Sequence, residues 1–134
     1  MRFSSVATIF ATALLAACSS GSGAAASAYA NQLVGHWSSA GNDNLYFGEA
    51  APASKIGSYI LVHPDGKAFT HRYKIESVEP RNRTIKTNLL FAGGDQREQS
   101  FLVSEDGQSI ETTTIITGIE THSELTKVDD KTTP

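Results

Sequence analysis

The sequence predicts an all-β fold: an antiparallel meander of about eight short strands closing into a small up-and-down barrel, after a helical signal peptide and a flexible tether. Three observations predict it. From Leu33 onward apolar and polar residues alternate with period two. Turn-forming clusters interrupt this alternation at short intervals. Helical periodicity is absent from the same region.

The first element is Met1–Arg2, a short positive start, followed by an apolar run from Phe3 to Ala16. At about 14 residues the run is short for a spanning helix and suits a signal peptide. Residues 19–30 are rich in Ser, Gly and Ala and uncharged, the composition of a flexible tether. Ala28-Tyr29-Ala30 is formally a second cleavage site, before Asn31, but it lies far beyond the apolar run.

The body follows as strand and turn. Val34–Ser38, Leu45–Gly48 and Gly57–His63 read as strands, with a loop around Pro52. His63-Pro64-Asp65-Gly66 is a turn, because Pro pre-sets φ and Gly accepts a positive one. After it Phe69, His71, Tyr73 and Ile75 share one face, and Thr70, Arg72, Lys74 and Glu76 the other. Glu79-Pro80-Arg81-Asn82 turns the chain into a strand whose inner set is Ile85, Thr87, Leu89 and Phe91. Ala92-Gly93-Gly94-Asp95 leads to Gln99, Phe101 and Val103, and Glu105-Asp106-Gly107-Gln108 to Ile110, Thr112, Thr114 and Ile116. Thr117-Gly118 opens the last strand, with Ile119, Thr121, Ser123 and Leu125 inward. A meander with one apolar face must bury that face, and curling into a barrel also removes exposed edges. A sandwich or half-open barrel is the rival closure. The reading divides the chain into a signal peptide (1–17), a lipidated Cys and tether (18–30), a barrel domain (31–128) and a frayed polar tail (129–134).

Leu15-Ala16-Ala17-Cys18 resembles the lipobox of bacterial lipoproteins. The resemblance implies cleavage between Ala17 and Cys18 and acyl chains, palmitate among them, on Cys18. It also accounts for a single cysteine in an oxidising compartment. Ser19, rather than an acidic residue, follows the cysteine, which resembles lipoproteins of the outer membrane facing the periplasm. The expected location is therefore the bacterial cell envelope, with a membrane as partner through the lipid. Gly35-His36-Trp37 is similar to the Gly-x-Trp that opens the first strand of lipocalins and related calycins. There the Trp plugs one end of the barrel. The resemblance implies a lipocalin-like architecture only, since the chain is short and later motifs are missing.

Net charge is −3 with no basic cluster, so nucleic acid is not an expected partner. No nucleophile motif occurs, the Asp-Gly pairs are turns without the alternating ligands of a calcium loop, and the histidines form no close zinc pair. Neither an enzyme, a metal nor a cofactor is expected. The expected role is binding of a small apolar or amphipathic ligand in the cell envelope. Its candidate contacts are the inward aromatics Trp37, Phe69, Tyr73, Phe91 and Phe101, with His71, Thr112 and Thr114 as polar groups. The hydroxyl-rich inner set of the late strands suggests that one end of the interior is wet. The alternative is a protein-interaction module (adaptor, inhibitor, immunity or exclusion lipoprotein) that keeps a filled core and acts by its surface.

Overall fold

The computed structural model describes residues 28–134. The expected signal peptide, Cys18 and the expected tether up to Ser27 lie outside the described residues. Eight strands form a closed antiparallel barrel in sequence order: β1 (Gly35–Ser39), β2 (Asn44–Phe47), β3 (Ile56–Val62), β4 (Ala68–Glu79), β5 (Thr84–Leu90), β6 (Gln96–Val103), β7 (Ser109–Ile116) and β8 (Ile119–Asp129). Closure is by β1 on β8, through Trp37↔Lys127, Ser38↔Thr126 and Ser39↔Leu125. The sandwich is thereby set aside.

The hairpins follow from turn chemistry. Ser39–Asp43, His63–Lys67 and Phe91–Asp95 are of one type. In each the first N–H bonds the last carbonyl, at 2.9 Å. Within each, a left-handed residue closes the turn: Asn42 (φ 64°), Gly66 (φ 89°) and Gly94 (φ 89°). Thr117 and Gly118 both have positive φ, 49° and 80°, so this two-residue turn matches the strand twist. These four turns lie at one end of the barrel. At the other, Pro80–Asn82 is a single 3-10 turn ended by Arg83 at φ 53°.

That second end is capped by the N-terminal segment. Ala28–Ala30 are helical and run into a 3-10 turn at Asn31–Leu33. Tyr29 packs on the core and ties down the last residues before the turn. β8 also runs through Asp129, one residue into the expected tail, since Asp129 pairs with His36. The core consists of Leu33, Trp37, Phe47, Tyr59, Tyr73, Ile85, Leu89, Phe101, Val103, Ile110 and Leu125. Tyr73, Ile85, Leu89, Phe101, Val103, Ile110 and Leu125 have the inward parity predicted for their strands. The register shifts at a bulge between Ile75 and Ser77, which turns Val78 inward opposite Ile85, and again between His36 and Trp37 where β1 meets β8.

Candidate functional site

The barrel interior has two unlike halves. Toward the capped end it is filled. The Trp37 indole N–H donates to the Leu33 carbonyl at 2.8 Å. Lys127 lies over the Trp37 ring at 4.9 Å and donates to the Val34 carbonyl at 2.9 Å. Phe47 stacks on Tyr59 at 4.6 Å and meets Tyr73 and Phe101 edge-on at 5.9 and 5.8 Å. Burial drives the Tyr59 and Tyr73 phenols up to about 12. Tyr73 still donates its hydroxyl to the Gly48 carbonyl at 2.8 Å. Three of the expected ligand contacts, Trp37, Tyr73 and Phe101, belong to this packed half, each no more than 2% exposed.

Of the other expected contacts, Phe69, His71 and Phe91 lie toward the hairpin end, Thr112 is level with Phe101 and Thr114 is one step beyond it. Phe69 is 48% exposed and meets His63 edge-on at 5.4 Å. His71 is half-buried between Tyr59 at 5.2 Å and Phe91 at 6.1 Å. Burial lowers its pKa, so it favours the neutral imidazole. Thr112 and Thr114 face Phe101 and Gln99 across the β6–β7 ladder. The layer is polar: Thr87 donates to the Gln99 carbonyl at 2.9 Å, and the Gln99 amide to Thr114 Oγ1 at 3.2 Å. The Gln99 Oε1 and Thr112 Oγ1 atoms are buried without a protein partner among the described residues. Thr121 and Ser123 continue this layer by register but are exposed. The hydroxyl set therefore runs from the interior to the rim.

Several polar groups escaped the sequence reading. Arg97 sits over the Phe91 ring at 4.7 Å. His63 Nδ1 lies 2.9 Å from Asp43 Oδ1 across two hairpins. His36, of outward parity, is nevertheless buried. It stacks on Tyr46 at 4.2 Å and contacts Asn44 Oδ1 at 2.8 Å and Asp129 Oδ2 at 3.2 Å. The hydrogen bond from the Lys131 backbone and then His36 hold the Asp129 carboxyl below its ordinary value. Asp43 and Asp129 are distant in sequence from their histidines, and the other pairs meet across hairpins whose register the alternation alone does not give. His122 is exposed on the outer face, as expected.

Among the described residues, clefts also open at the flank of the filled half, where Tyr73 lines one of them, and on the outer face. One of about 450 Å³ opens at the capped end beside Ala30, Ala50, Pro52, Lys55, Ile75 and Val78. The other, of about 360 Å³, is on the outer face of β4–β7 beside Glu76, Lys86, Asn88, Glu98, Thr113 and Ile115. Among the described residues, no group of three or more His, Cys, Asp or Glu is placed to hold a metal ion. No helix of the described residues is long and apolar enough to cross a membrane. Comparison with known protein families and with curated proteins finds no match to this chain.

Proposed function

We propose that this protein is a lipid-anchored module of the bacterial cell envelope that acts by binding through its barrel surface. The observation that carries the reading is the filled interior. Trp37, Phe47, Tyr73 and Phe101 are each at most 2% exposed. Opening a pocket of about 300 Å³ among them would cost many kcal/mol at about 24 cal/mol per Å³. A small barrel has little stability to give up. Surface binding leaves that core intact. The anchor follows from the lipobox resemblance at Leu15–Cys18, and two acyl chains hold such a domain at a membrane durably. Recognition rather than bond-making is the proposed task.

A second reading, uptake of a small amphipathic ligand, draws on the cleft of about 450 Å³, a size typical of ligand pockets. Its apolar side chains Ala50, Pro52, Ile75 and Val78 lie among Lys55, Glu49 and Glu76, a lining that would suit an amphipathic molecule.

Native mass spectrometry on the full chain, extracted from bacterial membranes in mild detergent, tests both readings. The proposal expects the acylated mass alone, with acylation abolished by Cys18→Ser. A reproducible small-molecule adduct, lost in Lys55→Glu, would overturn surface binding in favour of ligand uptake. An unacylated chain beginning at Asn31 would overturn the anchor.

A further inference from the structure

We propose that the open edge of β8, from Glu120 to Glu124, docks an extended basic segment of a partner protein, which adds to the barrel as a further strand. The inference rests on the surface-binding reading above and names the partner's chemistry.

The edge arises from unequal strands. β8 has 11 residues and β1 only five. Their ladder ends at Ser39↔Leu125, where the Ser39 N–H bonds Asp43 and the chain turns away. Beyond that point β8 is paired with β7 alone among the described strands. All six residues Ile119–Glu124 are exposed, both parities together. In the covered part of the same strand Leu125 is 3% exposed.

The phase of the ladder decides which groups are offered. Thr117-Gly118 is a two-residue turn, so Ile116 and Ile119 form its hydrogen-bonded pair. Such pairs alternate along an antiparallel ladder. Ile119, Thr121 and Ser123 therefore spend their main-chain groups on β7. Glu120, His122 and Glu124 direct theirs to the open side, as a template for another strand.

Charge selects the occupant. On the outer face Glu124 stands directly across from Glu111 in the ladder. His122 lies 3.8 Å from Glu111 and 3.6 Å from Glu120. Like charges in cross-strand register are unfavourable, and a neighbouring basic strand would relieve them. A second copy of this chain would set Glu against Glu, which disfavours edge-to-edge self-pairing. On the other face Ile119, Thr121 and Ser123 offer a mixed apolar and hydroxyl surface. The fitting segment alternates Lys or Arg with Thr or Val.

The test is fluorescence anisotropy with the full chain and three short labelled peptides. The first alternates lysine with threonine and valine. The second has glutamate for lysine. The third is the basic peptide N-methylated at alternate residues to block one edge. The basic peptide should bind at least about 10-fold more tightly than either of the others, with affinity falling as salt screens the pair. His122→Pro removes a donor from the open side and leaves the β7 bonds in place. It should weaken binding about 10-fold without changing the far-UV circular dichroism. Glu120→Lys with Glu124→Lys should reverse the preference between the charged peptides. Equal binding of the plain and N-methylated peptides would overturn strand addition in favour of simple charge attraction, even if His122→Pro fails to fold. No binding of the basic peptide would overturn the edge as a site. The native mass then separates the two failures: an unliganded acylated chain keeps the surface reading, and a small-molecule adduct removes it as well. Sedimentation as a dimer would assign the edge to self-association and refute the basic partner.

Discussion

Replacing Trp37 by Phe separates a structural plug from a ligand wall. The indole N–H donates to the buried Leu33 carbonyl at 2.8 Å. A phenyl ring leaves that carbonyl without its donor, at about 1–3 kcal/mol. The smaller ring also vacates about 40 Å³, worth about 1 kcal/mol at about 24 cal/mol per Å³. The Lys127 contact at 4.9 Å weakens with the smaller π-face, adding a few tenths. The expected total is about 2–4 kcal/mol. For a domain of roughly this size each kcal/mol shifts Tm by about 4–8 °C, so a fall of about 10–25 °C is expected. Trp37 is the only Trp, so tryptophan emission disappears with it and far-UV circular dichroism is used to follow urea and thermal unfolding. The urea midpoint should fall with an unchanged slope. A loss under about 1 kcal/mol would refute the plug, since neither the orphaned carbonyl nor the void could then be present.

Thr112→Val keeps the side-chain volume and removes a buried hydroxyl without a protein partner; a gain of about 1 kcal/mol in thermal unfolding is expected, and a loss would show that something other than protein holds that hydroxyl. Gly57→Ala would place a Cβ 2.6 Å from Tyr73 Oη and should cost about 1–3 kcal/mol, whereas Gly66→Ala meets no atom within 4 Å and should cost about 1 kcal/mol from its φ of +89° alone. Chemical denaturation of both variants against the parent checks the order. Tyr59 and Tyr73 have folded values of about 12 against 10.0 for a free phenol, so the folded state holds the more protons between them. Their contribution, about 2–3 kcal/mol each, is complete below pH 10 and is lost as pH rises toward 12. Urea midpoints from pH 9 to 12 should fall steeply, and Tyr59→Phe or Tyr73→Phe should flatten that fall.

The strands were legible because they alternate, and the hairpins because their turn residues carry a mechanism. Phe101 and Val103 point inward in the structure as their parity requires, and Gly66 and Gly94 occupy the left-handed positions their turns need. The candidate site was legible only in part. Alternation states which face a residue takes but not its height along the barrel. Tyr73 and Phe69 lie four residues apart on the same face of β4, yet one is 2% and the other 48% exposed. Thr112 and Ser123 are ladder partners, yet one is buried and the other exposed. Height depends on strand tilt and on where neighbours end, which are properties of the assembled barrel. The buried His36 illustrates the same limit. Its partners Asn44 and Tyr46 come from β2 across the first hairpin, and Asp129 comes from β8 and meets it only after closure.

Unequal strand length links the filled core to the open edge. β1 and β2 have five and four residues, whereas β4 and β8 have 12 and 11. Complete closure extends only over the height at which every strand has both neighbours. Inward residues within that height, such as Trp37, Ile110 and Leu125, become core. Inward residues beyond it, such as Phe69, Ile119 and Ser123, keep their parity but lose their cover. Stability therefore concentrates at the capped end, where Leu33 and Trp37 lock the N-terminal turn onto β1. The projecting β7–β8 hairpin is free to carry polar and charged residues that a dry core would exclude. An edge of this kind invites aggregation when it is long, flat and apolar. Here it is short and bears Glu120 and Glu124, which oppose a like-charged strand and leave the hydrogen-bonding groups available to an oppositely charged one. The same two residues thus serve both demands on an exposed edge, restraint of self-association and choice of partner.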